Sequence, residues 1–182
     1  MKFCSNWVWE KELPHETCQK IINLGEGKWN EGVVNKNTGT KRVDDKIRQS
    51  DIVWVNDEWI YDLVMPYMFT ANERAGWKYN IVSAEECQIT RYTPGEFYTW
   101  HKDGLGSHKE VYDNGNTRKI SLSVTLNSDF EGGELQFHGL TTHTLEAGSI
   151  VVFPSFLDHR VTPVTKGIRY SLIIWFLGPP FI

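Results

Sequence analysis

Cysteine is scarce: Cys4, Cys18 and Cys87 are the only three among 182 residues. An odd count at such spacings builds neither a disulfide framework nor a zinc ribbon, so a reducing compartment is expected. Long apolar runs are missing too. No stretch approaches the roughly 18 apolar residues that span a bilayer. Met1-Lys2-Phe3-Cys4-Ser5-Asn6-Trp7 lacks the apolar core of a secretory signal. A cytoplasmic protein without membrane attachment is the expectation. Nor is there an excess of basic charge. The net charge is −4 and the pI about 5.9, which removes the broad electrostatic footprint of a nucleic-acid binder and leaves at most a local groove. With no internal repeat and no low-complexity tract, residues 1–182 are expected to form one domain, long enough for a sizeable core.

Aromatic residues are what the chain has in plenty. At 13%, with eight Trp, they point to a β-rich core or a lined pocket, the core being the plainer use. Residues 1–12 read as an extended lead-in. Leu13-Pro14 opens a helix, Pro14 suiting its first position. Cys18, Ile21, Ile22 and Gly25 then keep helical spacing, and Gly25 and Gly27 end it. His15, in the first turn, reads as a surface residue. Trp29 to Val34 allows a short strand, residues 35–40 a turn-rich loop, and Ile47 to Val55 another strand. A second helix is predicted from about Asp57 to Gly76, capped by Asn56 or Asp57. Trp59, Leu63, Tyr67 and Ala71 mark one stripe of it, with Ile60, Val64 and Met68 beside them. Pro66 in its middle predicts a kink or a break.

From Glu85 onward the pattern changes to short strands punctuated by Gly, Asn and Asp. Strands are predicted at Cys87–Tyr92, Phe97–Asp103, Ile120–Leu126, Glu134–Phe137, Ser149–Phe153, from His159, and at Arg169–Leu177. Gly104 to Thr117 reads as a mobile loop. Antiparallel strands without crossover helices make this an α+β, mainly β chain, a sandwich or jelly-roll. The helices of the N-terminal part, about 1–84, should pack on one outer face of a β core at about 85–182.

The chemistry gathers on that core. On a strand, the side chains of His101 and Asp103 leave from one face. His-x-Asp followed by a distant His is the sequence form of a 2-His-1-carboxylate triad, which leaves about three of six octahedral positions open and suits non-haem iron(II). Of the other histidines, His138 and His143 flank a turn and His108 sits in the loop. His159 follows a turn between strands and precedes Arg169. That arginine shares a face with Ser171, Ile173 and Trp175 in an otherwise apolar strand. A buried guanidinium cannot shed its charge and needs an anion; a carboxylate fits its fork, with Ser171 adding a hydroxyl. Trp100 alternates away from His101 and is expected in the core, as is the Trp59 stripe. Lys102 and Arg160 point away from the metal, Asp158 reads as a turn cap, Tyr98 as substrate-side lining or packing, and Gly132-Gly133 as a tight turn.

The set Tyr92-x-x-Gly95-x-x-Tyr98-x-x-His101-x-Asp103, Gly132-Gly133-Glu134-Leu135, His159 and Arg169-x-Ser171 with Trp175 resembles the prolyl 4-hydroxylase family of 2-oxoglutarate/Fe(II) dioxygenases. The resemblance covers about residues 85–177. It implies a double-stranded β-helix, Fe(II) on His101, Asp103 and His159, and the distal carboxylate of 2-oxoglutarate on Arg169 and Ser171. Tyr92 would line the co-substrate pocket, with Leu135 and Trp175 as apolar walls. Oxidative decarboxylation of 2-oxoglutarate by O2, giving succinate and CO2, would then drive hydroxylation of an unactivated C–H bond, with ascorbate as a reductant. Halide-transferring relatives lack the carboxylate ligand, so Asp103 favours hydroxylation. In one respect the chain departs from the pattern. Related hydroxylases often carry a Tyr or Lys on the strand of Ser121, Ser123 and Thr125 to reach the distal carboxylate, and here none is present.

A prolyl residue in a protein or peptide is the leading substrate expectation. A free amino acid or other small molecule is the alternative. Oxidative demethylation of nucleic-acid bases is disfavoured, because Trp175 stands where such enzymes carry a second arginine. A metal-binding β-barrel without turnover would leave Arg169 and Ser171 unexplained.

Overall fold

The computed structural model describes residues 4–32, 34–35, 41–42, 46–105, 111–112, 115–140 and 145–181. In chain order the first elements are β1 (Trp7–Trp9), α1 (His15–Leu24), β2 (Asn30–Glu31), β3 (Val34–Asn35), β4 (Lys41–Arg42), β5 (Arg48–Gln49), β6 (Asp51–Val55) and α2 (Glu58–Arg74). Then come β7 (Ser83–Ala84), β8 (Cys87–Tyr92), β9 (Phe97–His101), β10 (Thr117–Thr125), β11 (Phe130–Gly132) and β12 (Leu135–Phe137). The last four are β13 (Ile150–Pro154), β14 (His159–Val161), β15 (Val164–Gly167) and β16 (Arg169–Gly178).

The strands form two main antiparallel sheets. The larger runs β1-β13-β10-β16-β8-β6-β2, with β7 added against β16; the smaller runs β12-β14-β9-β5. β11 pairs β15, and β3 pairs β4. Period-two alternation divides the larger sheet's residues between two layers. One face sends Ile120, Leu122, Val124, Ile150, Val152, Leu172, Ile174 and Phe176 into a cluster with Cys18, Ile21, Ile22 of α1 and Ile60, Val64, Met68, Ala71 of α2. Burying each large aliphatic side chain there contributes roughly 1.5–3 kcal/mol. The helices thus cover one outer face, as the sequence pattern predicts. The opposite face meets the smaller sheet, where Tyr92, Val151 and Phe153 pack on Leu135, Phe137 and Val161. This is the two-sheet jelly-roll expected from the strands.

Several expectations are revised. Pro66 lies inside α2, and the helix continues through it without a break. Its fully buried stripe is Ile60, Val64, Met68 and Ala71, while Trp59, Leu63 and Tyr67 are only partly covered. The single strand expected from Ile47 to Val55 is two: β5 joins the smaller sheet and β6 the larger, so the chain changes sheets at Ser50. β10 begins at Thr117 rather than Ile120, with an irregularity between Arg118 and Ile120 in its pairing to β16. Trp100 is not core. It does alternate away from His101, but it is 39% exposed because no described layer covers the outer face of the smaller sheet, and Arg160 and His138 flank it there. His15 is exposed, as expected. His108, His143 and much of the 104–117 loop lie outside the described residues. No described helix is long and apolar enough to cross a membrane.

Candidate active site

β9 and β14 are neighbours in the smaller sheet, and their register sets His159 opposite His101. Asp103 lies just past the end of β9. One ligand atom from each of His101, Asp103 and His159 falls within 4.8 Å of the others. The Nε2 atoms of His101 and His159 each lie 3.5 Å from an oxygen of Asp103. Each ring's far nitrogen is engaged: Nδ1 of His101 is 2.8 Å from the Thr99 carbonyl and Nδ1 of His159 is 2.9 Å from the Leu157 carbonyl. A carbonyl only accepts, so both Nδ1 atoms donate and both Nε2 atoms face the cluster. Burial holds the His159 imidazole down to about 4, so it is neutral near pH 7. Burial works against the charge on Asp103, but attraction to the imidazoles in their protonated form and to the Arg118 guanidinium outweighs it, and its carboxyl sits well below the usual range. Two imidazoles and one carboxylate, converging without a fourth described side-chain ligand, suit a first-row divalent metal with open positions.

The second part of the site lies on the larger sheet. Arg169 opens β16, opposite Tyr92 of β8, and is 3% exposed. Its Nη1 donates to Ser171 Oγ at 3.1 Å. The guanidinium also faces the rings of Tyr92 and Phe130, 5.6 and 6.0 Å from their centroids. Among the described residues no carboxylate pairs with it. A desolvated guanidinium with only a hydroxyl and two rings for company is an unfinished anion site. Gly133 makes room for it. With φ at +60°, its absent Cβ would sit 2.8 Å from Arg169 Cδ and 3.0 Å from Val164 Cγ2. Gly133 is therefore more than the tight turn expected from the sequence.

Leu135 is buried among Tyr92, Phe137 and Val161, as a wall residue would be. Trp175 lies further along β16, opposite Ser121 of β10. It flanks the metal end of the site rather than the guanidinium of Arg169, since six strand residues span about 20 Å. Its Nε1 is buried with no described partner.

Around the site, Arg118, Arg48 and Ser155 had no sequence signal of their own, and Tyr98 and Ser121 take parts that their signals did not specify. Arg118 stacks on Trp175 with its Cζ 3.8 Å from a ring centroid, donates twice to Glu85 at 2.6 Å, and reaches the Asp103 carbonyl at 3.2 Å. Tyr98 stacks on His101 with centroids 3.5 Å apart, and the buried Arg48 lies beyond it, 4.9 Å from the Tyr98 ring. Ser121, which sequence reasoning weighed only for the distal carboxylate, instead donates to Asp103 Oδ2 at 2.7 Å. The turn after β13 supplies Ser155, whose carbonyl accepts the Asp103 and Gly104 amides at 3.0 and 3.1 Å.

A family model described as the 2OG-Fe(II) oxygenase superfamily matches residues 87–177, half of the chain. A PKHD-type hydroxylase from Idiomarina loihiensis is 41% identical over 92 residues, covering 48% of this chain and 39% of that protein. One from Klebsiella pneumoniae is 38% identical over 96 residues, covering 48% and 41%. The chain thus spans about two fifths of the length of these curated relatives. Among solved structures, the viral collagen prolyl hydroxylase of Paramecium bursaria Chlorella virus-1, in its 2OG complex, superposes with a TM-score of 0.73 at 21% identity, over 96% of this chain and 97% of that one. A Trichoplax adhaerens prolyl hydroxylase, in complex with a hypoxia inducible factor peptide fragment, gives 0.73 at 20% identity, over 94% and 83%. At those identities the likeness establishes the fold, the double-stranded β-helix. With its β core matched from Cys87 to Leu177, the chain belongs to the 2OG-Fe(II) oxygenase superfamily, whose members use Fe(II) and 2-oxoglutarate.

Proposed function

We propose that this chain is a 2-oxoglutarate- and Fe(II)-dependent dioxygenase that hydroxylates a prolyl residue in a protein or peptide. The observation that carries the chemistry is the pairing of a three-ligand cluster with a buried, carboxylate-less arginine between the same two sheets. Bound there, iron(II) and 2-oxoglutarate would supply the activation of O2, with succinate and CO2 as co-products. The chain's own residues do the holding. His101, Asp103 and His159 present their donor atoms already oriented, because backbone carbonyls fix both imidazole tautomers. Arg169 and Ser171 clamp the distal carboxylate of the co-substrate, with Tyr92 beside them. Leu135, Phe137, Val161 and Val164 keep bulk water from its carbon chain. A low-dielectric pocket strengthens the charge-assisted grip of the guanidinium.

The peptide part of the reading rests on exposed apolar side chains and on the relatives. Trp54, in ring contact with Trp175, and Leu105, Val111 and Tyr112 are large apolar side chains left exposed. Relatives of like fold are prolyl hydroxylases, one of them solved with a peptide. Anaerobic addition of Fe(II) and then 2-oxoglutarate tests the chemistry: a weak visible charge-transfer band is expected, and its absence from folded protein would overturn the cofactor assignment. Proline-containing peptides and free amino acids, scored in parallel by succinate release, test the substrate. Turnover of free amino acids without peptide turnover would move the reading to a small-molecule hydroxylase.

A further inference from the structure

Asp103 is the one member of the cluster with two potential donor atoms, and the chain treats them differently. Oδ2 accepts a hydrogen bond from Ser121 Oγ at 2.7 Å. Ser121 Oγ in turn lies 2.9 Å from Ser155 Oγ, and both serines are fully buried. A hydroxyl has a single proton. Ser121 spends its proton on the carboxylate, so Ser155 must donate to Ser121, and the chain of protons runs Ser155 to Ser121 to Oδ2. The turn that carries Ser155 is itself fixed. Its amide donates to the Lys119 carbonyl at 3.0 Å and its carbonyl accepts two amides, those of Asp103 and Gly104. The same turn offers the Leu157 carbonyl to His159 Nδ1. Each oxygen also lies 3.5 Å from an imidazole Nε2, Oδ1 from that of His101 and Oδ2 from that of His159, but among the described residues Oδ1 accepts no hydroxyl as Oδ2 does.

We propose that Ser121, aimed by Ser155, is a positioning residue that keeps Asp103 a one-oxygen ligand: the hydroxyl occupies Oδ2 and leaves Oδ1 alone to the metal. The inference rests on the iron and 2-oxoglutarate reading and deepens it. Three protein donors leave about three of six octahedral positions open. A co-substrate that bound through two oxygens, together with O2, would fill all three. A carboxylate binding through both oxygens would take one of them away. Ser121 thus protects room for the co-substrate, and its loss should harm co-substrate binding more than metal binding. An ordinary loss of support around a ligand would lower metal affinity first.

The test compares the wild-type chain with Ser121→Ala and Ser155→Ala. Metal affinity is measured with Co(II) by its visible absorption, 2-oxoglutarate affinity by anaerobic titration of the Fe(II)-loaded chain, and folding by circular dichroism of the metal-free chain. Ser121→Ala is expected to hold metal within about threefold of wild type while losing about tenfold or more in 2-oxoglutarate affinity. Ser155→Ala should shift the same ratio in the same direction, by less. A metal affinity that falls as far as the 2-oxoglutarate affinity, or a 2-oxoglutarate affinity that does not change, overturns the proposal. Where Ser121→Ala does not fold, Ser155→Ala decides by the same criterion. A wild-type chain that takes up metal but shows no 2-oxoglutarate band defeats the proposed function itself, an outcome distinct from any behaviour of the variants.

Discussion

Arg169 and His159 illustrate how burial decides what a single side chain does. The guanidinium of Arg169 cannot escape its desolvation by losing a proton, so it is poised for a carboxylate. Replacing it by Gln should lower 2-oxoglutarate affinity by about a hundredfold, the worth of roughly 3 kcal/mol of charge-assisted bonding. Metal affinity should barely change, and calorimetric titration of each ligand separates the two. His159 responds to burial in the opposite way, by giving up its charge. Its imidazole is held down to about 4, against about 6.5 when unfolded. The unfolded chain therefore takes up the proton first, and stability falls as pH drops from about 6.5 toward 4. The loss from this group is on the order of 3 kcal/mol. Denaturant titrations of the metal-free chain at pH 7, 6 and 5 should show it, and His159→Gln should flatten the slope in that window.

Short elements do the aligning. The Gly132-Gly133 turn is a sharp case, because Gly133 combines a φ of +60° with contact against Arg169 Cδ. Gly133→Ala is expected to destabilise the chain by about 1–3 kcal/mol through backbone strain. By pushing the guanidinium, it should also weaken 2-oxoglutarate binding; unfolding curves and the anaerobic titration read the two effects independently. The strands themselves were largely legible in the sequence. Ser121, Ser123 and Thr125 alternate with Ile120, Leu122 and Val124, and His101-x-Asp103 with Arg169-x-Ser171 announced same-face pairs. Alternation gives two faces but does not say what covers each. That is why Trp100 was expected in a core and lies instead on an outer face that no described layer covers. The change of sheet at Ser50 escaped for a related reason: Ile47 to Val55 reads as one run, and only the pairing partners split it. Arg118 and Lys119 disguised the start of β10, since two charged residues do not look like a buried strand. The carbonyls of Thr99, Ser155 and Leu157 that hold His101, Asp103 and His159 have no side-chain signature at all.

Across the whole molecule, ligand binding should appear as stability. Iron and 2-oxoglutarate bind only the folded chain in this reading, so each at about 100 times its dissociation constant adds about 2.7 kcal/mol. Melting temperatures should rise stepwise, by about 5–10 °C per ligand at this chain length, and an unchanged melting curve would contradict both sites. The two sheets are not equally protected. Both helices cover the larger sheet, whereas the smaller one has Trp100 in solvent on its far side. His101 and His159 belong to that thinner sheet, while Arg169 and Ser171 belong to the armoured one, and Ser121 of the larger sheet holds Asp103. The cluster therefore spans a seam between a helix-covered sheet and one whose far side no described layer covers. Local opening is expected to begin in β9 and β14. Amide hydrogens there should exchange faster than those of β10 and β16 in metal-free protein, and metal should slow the former selectively. On the proposed reading the iron would be a fastener as well as a reagent, and its departure would let the smaller sheet fray while the carboxylate pocket stays intact.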